Sequence, residues 1–345
     1  MKVILIGEEH SKRTDYFRQA AKQQGVPFAF FLWNQWKTED LEGGIVKIDP
    51  LSYDTCHLLD LNRIIAEYRE QLKRLAETGS KIRFLNHPAG ILKALNKAVS
   101  KKLLQERGLP VTELLGENPK DFSEVHQIME AHRAWSVFVK PVYGSGAAGV
   151  LALSIQPATG KVAAYTSACD SAGELVQQKK IRRITDPEEA ARILNRILQL
   201  DTVVERWHPK AVSGGESFDF RVLWQFGRVE YLVARKSVMP ITNLHLNNHA
   251  AMPEEIFTSN LPWNRERVLV EIDELCQQAM KSFPELCMAG LDIMLDKKTG
   301  KPRIIEINGQ GDLLYADIYG ENRIYGAQIR RMARGEGAVW NGTWI

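Results

Sequence analysis

Val3-Ile4-Leu5-Ile6 is an unbroken apolar run, the pattern of a strand buried on both faces. A polar, helix-like stretch from Tyr16 to Gln24 follows, and Gly25 stops it. Val26 to Trp33 is apolar and aromatic again. This strand–helix–strand alternation predicts a small α/β unit over residues 1–85. Pro88 then opens a helix in which Ile91, Leu95, Ala98, Val99 and Leu103 recur at helical spacing. Gly108-Leu109-Pro110 ends it, and Lys97 and Lys101 lie off its apolar stripe. From about Trp135 the pattern changes to short strands and hairpins. One helix interrupts them at Pro187 to Leu200, entered through Thr185-Asp186-Pro187. Residues 203–238 and 288–318 are the richest in paired strands.

Composition narrows the class without naming a function. The 345 residues are 44% hydrophobic and 25% charged, which is ordinary for a globular chain. At about 150 residues per domain, two or three structural units are expected. Lys plus Arg number 45 and Asp plus Glu 42, a net charge of only +3, which argues against a nucleic-acid partner. The densest basic run, Lys179-Lys180-Ile181-Arg182-Arg183, reads as a solvated face, with a phosphate-contacting patch as the alternative. Cys56, Cys169, Cys276 and Cys287 form no Cys-x-x-Cys motif. The opening apolar run is too short for a signal peptide, and no stretch approaches a membrane span. Reduced thiols in a soluble cytoplasmic protein, with no membrane partner, are therefore expected.

Gly144-Ser145-Gly146-Ala147-Ala148-Gly149 matches the dinucleotide pattern Gly-x-Gly-x-x-Gly letter for letter. That loop must run from a strand into a helix, whose N-terminus holds the pyrophosphate. Here Val137-Phe138-Val139-Lys140 precedes the loop, and Val150 to Ile155 follows as a second strand. A glycine loop between antiparallel strands instead lies as a flap over phosphates, its backbone N–H groups exposed to them. A plain Gly-rich hairpin beside an incidental lysine is the alternative.

A second constellation lies near the C-terminus. Gly290 to Leu295 and Arg303 to Asn308 flank a turn centred near Thr299, which sets Asp292 opposite Glu306, with Asn308 on the face of Glu306. Like charges directly opposite each other destabilise a sheet, and apolar neighbours make them costlier. A divalent cation resolves the conflict, and all-oxygen ligands suit magnesium bridging to phosphates. Two carboxylates on an exposed hairpin face are the alternative. In the hairpin before it, a two-residue turn at Gly227-Arg228 would pair Arg221 with Ala234 and put Arg235 on the opposite face. A three-residue loop would restore both arginines to one face. His245 and His249 have a zinc-compatible spacing but no acid in the usual place between them.

Taken together, these features resemble the ATP-grasp superfamily, most closely its glutathione synthetase and ribosomal-protein glutamate-ligase branch. The resemblance covers roughly residues 86 to 318. It implies an α/β (α+β) ATP-grasp fold: a Rossmann-like pre-ATP-grasp domain over 1–85, a central subdomain over 86–202 and a C-terminal subdomain over 203–345. Asn86-His87-Pro88, Asn96-Lys97 and Gly108 to Val111 look like the first lysine helix, with Lys97 reaching an ATP phosphate. Lys140 with Gly144, Ser145, Gly146 and Gly149 looks like the second lysine and its flap. Val203-Val204 with Glu205, Arg206 and Trp207 looks like the hinge that reads adenine, largely through backbone groups. Ser217 to Leu223 looks like the next strand, with Asp219 on the ribose and Arg221 near the transferred phosphoryl group, and Arg235 looks like the second arginine. Asp292, Glu306 and Asn308 look like the ligands of one or two magnesium ions, with manganese as a substitute.

The chemistry this resemblance implies is ATP-dependent activation of a carboxylate, from a small molecule or a peptide, as an acyl phosphate. An amine or thiol acceptor then displaces the phosphate. A phosphotransferase that stops at a phosphorylated product, and a scaffold that binds nucleotide without chemistry, remain as alternatives. A homodimer is the default among soluble oligomers.

Overall fold

The computed structural model describes residues 1–51, 55–144, 146–258, 261–310 and 321–338, which form three sheets with helices packed on them. The chain opens with β1 (Lys2–Gly7), α1 (Lys12–Gln23), β2 (Phe28–Leu32), α2 (Thr38–Leu41), β3 (Gly44–Ile48), α3 (Leu58–Ala76) and β4 (Arg83–Phe84). The four strands are parallel in the order β2-β1-β3-β4. Val3 to Ile6 are completely buried, as their unbroken apolar run requires.

The lysine helix is two helices rather than one. α4 (Pro88–Leu95) stops at Asn96, whose extended backbone starts α5 (Lys97–Glu106) and whose side-chain oxygen accepts from the Val99 N–H. Asn is among the best residues for capping a helix N-terminus, and that preference breaks the apolar periodicity. Lys97 thereby becomes the first residue of α5, and Lys101 follows one turn later on the same face.

The second sheet comprises β5 (Leu114–Glu117), β6 (Ser136–Pro141), β7 (Leu151–Ile155), β8 (Val162–Ser171), β9 (Glu174–Ile184) and β10 (Thr202–Arg206). They are antiparallel in the order β5-β10-β6-β7-β8-β9. α6 (Phe122–Ala131) and α7 (Pro187–Ile197) cover one face, burying Val125, Met129, Ile193 and Ile197 against Val137, Val139 and Val204. Asp186 caps α7 by accepting from the N–H groups of Glu188 and Glu189.

The third sheet holds β11 (Val212–Ser213), β12 (Glu216–Gln225), β13 (Arg228–Ser237), β14 (His249–Ala251), β15 (Met288–Leu295) and β16 (Pro302–Asn308). Its antiparallel path runs β14-β13-β12-β15-β16, with β11 paired to β12. α8 (Pro253–Phe257) and α9 (Arg265–Met280) contribute Ile256, Val268, Ile272 and Leu275 to the same core as Phe218, Phe220, Leu291 and Ile304. The last helix among the described residues, α10 (Arg323–Ala333), returns to the first sheet, where Tyr325, Ile329 and Met332 pack with Val3, Leu5 and Phe17. Buried Asn86 joins the first sheet to the third. Its amide donates to the carbonyls of Met288 and Gly309 and accepts from the N–H groups of Cys287 and Met288. No helix among the described residues is long and apolar enough to cross a membrane.

Candidate active site

The inner faces of the second and third sheets and the carboxyl edge of the first enclose a cleft of about 640 Å³. Strand alternation decides what reaches it. On β6, Val137 and Val139 point into the core, so Phe138 and Lys140 share the cleft face. The loop from Gly144 to Gly149 does join two antiparallel strands, β6 and β7. Gly146, Ala147 and Gly149 all have positive φ there, and a Cβ on Gly149 would lie 2.9 Å from Pro141. Gly144 and Gly146 line the cleft, and Ser145 lies outside the described residues. Lys97 Nζ donates to the Gly144 carbonyl at 2.9 Å and stands 3.8 Å from Glu306.

Two β-bulges set the third sheet's register. The turn between β12 and β13 is Phe226-Gly227, both with positive φ, one residue earlier than expected for a two-residue turn. Trp224 pairs with Val229 but Leu223 with Tyr231, so Glu230 is the extra residue. The slip sets Asp219 opposite Arg235 and Arg221 opposite Val233, and both arginines line the cleft. On β16, Asp292 pairs with Glu306 but Ile293 with Ile304, leaving Ile305 as the bulged residue. Ile304 and Ile307 therefore face the core, while Ile305, Glu306 and Asn308 line the cleft.

Buried ion clusters fill the floor. Asp219 accepts from Arg235 at 2.7 Å, from Lys210 at 2.7 Å and from the Thr242 hydroxyl. Burial opposes its charge, but Arg235 and Lys210 outweigh it and hold the carboxyl well below the usual range. Asp292 accepts from Arg221 at 2.6 Å and pairs with Arg235 at 3.0 Å. Burial raises its pKa, and the two guanidinium groups more than reverse that. Asn308, its amide oriented by its partners, donates to Glu306 at 3.2 Å and accepts from Arg221.

The side chains of the hinge segment lie beneath the cleft or turn away from it. The Glu205 carboxylate lies 1% exposed beneath the cleft, accepting from Thr112 at 2.6 Å and Lys140 at 3.0 Å. Burial would raise its pKa, but Lys101 and Lys140 outweigh burial and hold it at about 2. Arg206 turns away to Glu113 and the His132 carbonyl, and Trp207 packs behind Phe138 and Tyr165. The N–H groups of Arg206 and Trp207 are committed to the carbonyls of Glu113 and Ser136. Asp219 lines the cleft but is also buried, with both carboxylate oxygens accepting hydrogen bonds from within the protein. His245 lines the cleft but His249 pairs with Glu216 outside it, and no helix carries the two, so the zinc reading fails.

Sequence reasoning gave no part in the site to Lys101, which it placed off the apolar stripe of its helix, or to Lys210 and Thr242. The first two are lysines among 45 basic residues, and only burial marks them out. Burial pushes the Lys101 ammonium down to about 8 against the pull of Glu205. Among the described residues, seven cationic side chains but three carboxylates line the cleft, which suits a polyanionic ligand. Arg221 Nε is also a buried donor without a hydrogen-bond partner there.

Asp292, Glu306 and Asn308 offer hard oxygen donors on neighbouring strands. Among the described residues no group of three or more His, Cys, Asp or Glu is placed to hold a metal. The donor set fits magnesium, which takes one or two carboxylates and completes its shell with phosphate and water.

A family model described as YheC/D-like ATP-grasp matches residues 81–325. No curated protein matches the chain at a significant level. Among solved structures, D-cycloserine synthetase DcsG superposes with a TM-score of 0.62 at 14% identity, covering 97% of this chain and 99% of its own. Macrocyclase MdnC from Microcystis aeruginosa MRC, solved with precursor peptide MdnA, gives 0.59 at 14% identity, covering 97% of this chain and 100% of its own. The RiPP-associated ATP-grasp ligase of Chryseobacterium gregarium, in complex with ADP and a leader and core peptide, gives 0.59 at 12% identity, covering 98% of each chain. At these identities the likeness is one of fold.

Proposed function

The chain belongs to the YheC/D-like ATP-grasp family and has that α/β fold, and we propose that it is an ATP-dependent ligase joining a carboxylate to an amine or thiol through an acyl phosphate. The observation that supports this most is the convergence of Lys97, Lys140, the glycine loop, Arg221 and Arg235 with Asp292 and Glu306 on one cleft.

In this reading Lys97 and Lys140 bind phosphate oxygens of ATP, and the loop from Gly144 to Gly149 covers them and excludes water. The apolar wall beside Lys140, including Phe138 and Met294, takes the base. Arg221 and Arg235 stand at the γ-phosphoryl end, where a planar guanidinium matches phosphate oxygens. A carboxylate oxygen of the substrate attacks the γ-phosphorus and ADP leaves. The acceptor nitrogen or sulfur then attacks the acyl carbon, and inorganic phosphate departs with the bonding pair. Magnesium, held by Asp292, Glu306 and Asn308, would supply further neutralisation of the phosphate chain. Carboxylates presented by peptides are among the candidate substrates, since two of the structural neighbours were solved with peptides.

The test is ATP turnover with magnesium and a panel of amino acids and peptides, with hydroxylamine as the trapping nucleophile. ADP formed together with a hydroxamate supports acyl activation. A stable phosphorylated product without hydroxamate favours a phosphotransferase. No ADP with any carboxylate favours a scaffold.

A further inference from the structure

We propose that Lys101 is a positioning residue that sets the placement of both Lys140 and Glu306 from beneath the cleft. The inference rests on the ligase reading for its functional meaning, but its geometry stands independently. Lys101 Nζ lies 2.7 Å from Thr112 Oγ1, 2.6 Å from the Ile305 carbonyl and 3.4 Å from Glu205 Oε2. The side chain is only 3% exposed, so these three acceptors meet the three donors of the ammonium group.

Each contact leads to a group on the cleft. Thr112 and Lys140 both donate to the same Glu205 oxygen, so Lys101 helps to fix the carboxylate that orients Lys140. Ile305 is the bulged residue of β16, with no partner on β15, and Lys101 takes its carbonyl. The bulge is what turns Glu306 and Asn308 onto the cleft face. One helical turn earlier, Lys97 reaches the glycine loop and Glu306 from the same helix. α5 thus fastens the phosphate lysine, the loop and the candidate metal carboxylate to one rigid element. An apolar residue would sit in such a buried place at lower cost, because an ammonium group is expensive to desolvate. What the ammonium gains is geometry, in the way that outer groups orient the inner ligands of a metal site.

Lys101→Met keeps the apolar stem and removes the charge, and Lys101→Arg keeps charge and donors. The ligand-free crystal structure of each variant, and its ATP affinity with and without magnesium, are the readouts. The expected result for Lys101→Met is a displaced β16 bulge and Glu306, a shifted Lys140 with weaker ATP binding even without metal, and a further loss of about 10- to 100-fold in apparent magnesium affinity. Lys101→Arg should recover part of that loss, and it carries the same readouts if the Met variant does not fold. A lower melting temperature with Lys140, the bulge, Glu306 and magnesium dependence all unchanged would overturn the proposal. If wild type bound no nucleotide, the ligase reading would fall, and the ligand-free structures would still decide whether Lys101 sets Lys140 and Glu306.

Discussion

Arg221 and Asp292 face each other across β12 and β15, and their side chains meet at 2.6 Å between Nη1 and Oδ1. On the other side of Asp292, directly opposite on β16, stands Glu306. The three charges form a single row across the sheet, cation–anion–anion. The repulsion between the two carboxylates is thus offset within the protein by Arg221, with Arg235 on the second oxygen of Asp292 at 3.0 Å. In the proposed reading, a phosphate entering the cleft would compete with Asp292 for the same two guanidinium groups. The arginines and carboxylates of the site are therefore joined in one network of ion pairs rather than standing as separate groups.

Gly290 makes room for that network. A Cβ there would lie 2.8 Å from Arg221 Cζ and 2.9 Å from its Nε. Because the clash is with the end of a flexible side chain, the sheet need not move. Gly290→Ala is expected to leave the melting temperature nearly unchanged and to lower kcat/KM for ATP turnover by about 10²-fold, the cost of misplacing a reacting group. Unchanged turnover would show that Arg221 does not need this position.

Asp219 should matter more for stability than for binding. Asp219→Ala leaves Arg235 and Lys210 buried without the carboxylate that both now contact. Breaking a buried pair by removing one partner costs about 3–5 kcal/mol. Urea unfolding should show a loss of this size, with a smaller one for Asp219→Asn.

Acid should loosen the cleft floor. The Glu205 pKa is held at about 2 in the fold, below the ordinary 4.5 of a glutamate. A depressed carboxylate contributes fully above its unfolded pKa and loses that contribution as pH falls toward the folded one. Glu205 should therefore supply about 3 kcal/mol at neutral pH, lost between about pH 4.5 and 2. Asp219 and Asp292 shift in the same direction. Urea midpoints measured at falling pH should drop across this window, and less steeply in Glu205→Gln. The slope for Lys101 has the same sign in an alkaline window. Burial holds its pKa at about 8, below the ordinary 10.5 of a lysine, so the cost of keeping it charged in the fold is relieved, and stability rises, as pH climbs between the two.

What the sequence made legible was local. Val137 to Lys140 and Val150 to Ile155 identified the glycine loop as a strand-to-strand connection, because apolar runs on both sides leave no room for a helix. Symmetry about Thr299 found the pairing of Asp292 with Glu306. That arithmetic holds at the site only because a bulge absorbs one residue, and on the turn side of Ile305 the register is shifted. Neither bulge had a signal in the chain, since each depends on tertiary partners, such as the Lys101 that takes the Ile305 carbonyl. The break at Asn96 did have one: a strong N-cap residue directly before Lys97. The counterions were the least legible part. Asp219 and Glu205 read as ligand contacts on their strands, and only three-dimensional packing brings Lys210, Thr242, Lys101 and Thr112 against them.

The most direct test of the central claim is thermal unfolding with and without ATP and magnesium, on wild type and on Glu306→Ala. Ligand at about 100 times its Kd adds about 2.7 kcal/mol, a rise of a few degrees for a chain of this size. The account predicts that rise when ATP and magnesium are present together, and a smaller one in Glu306→Ala. No rise with any nucleotide, or a rise that Glu306→Ala leaves untouched, would contradict it.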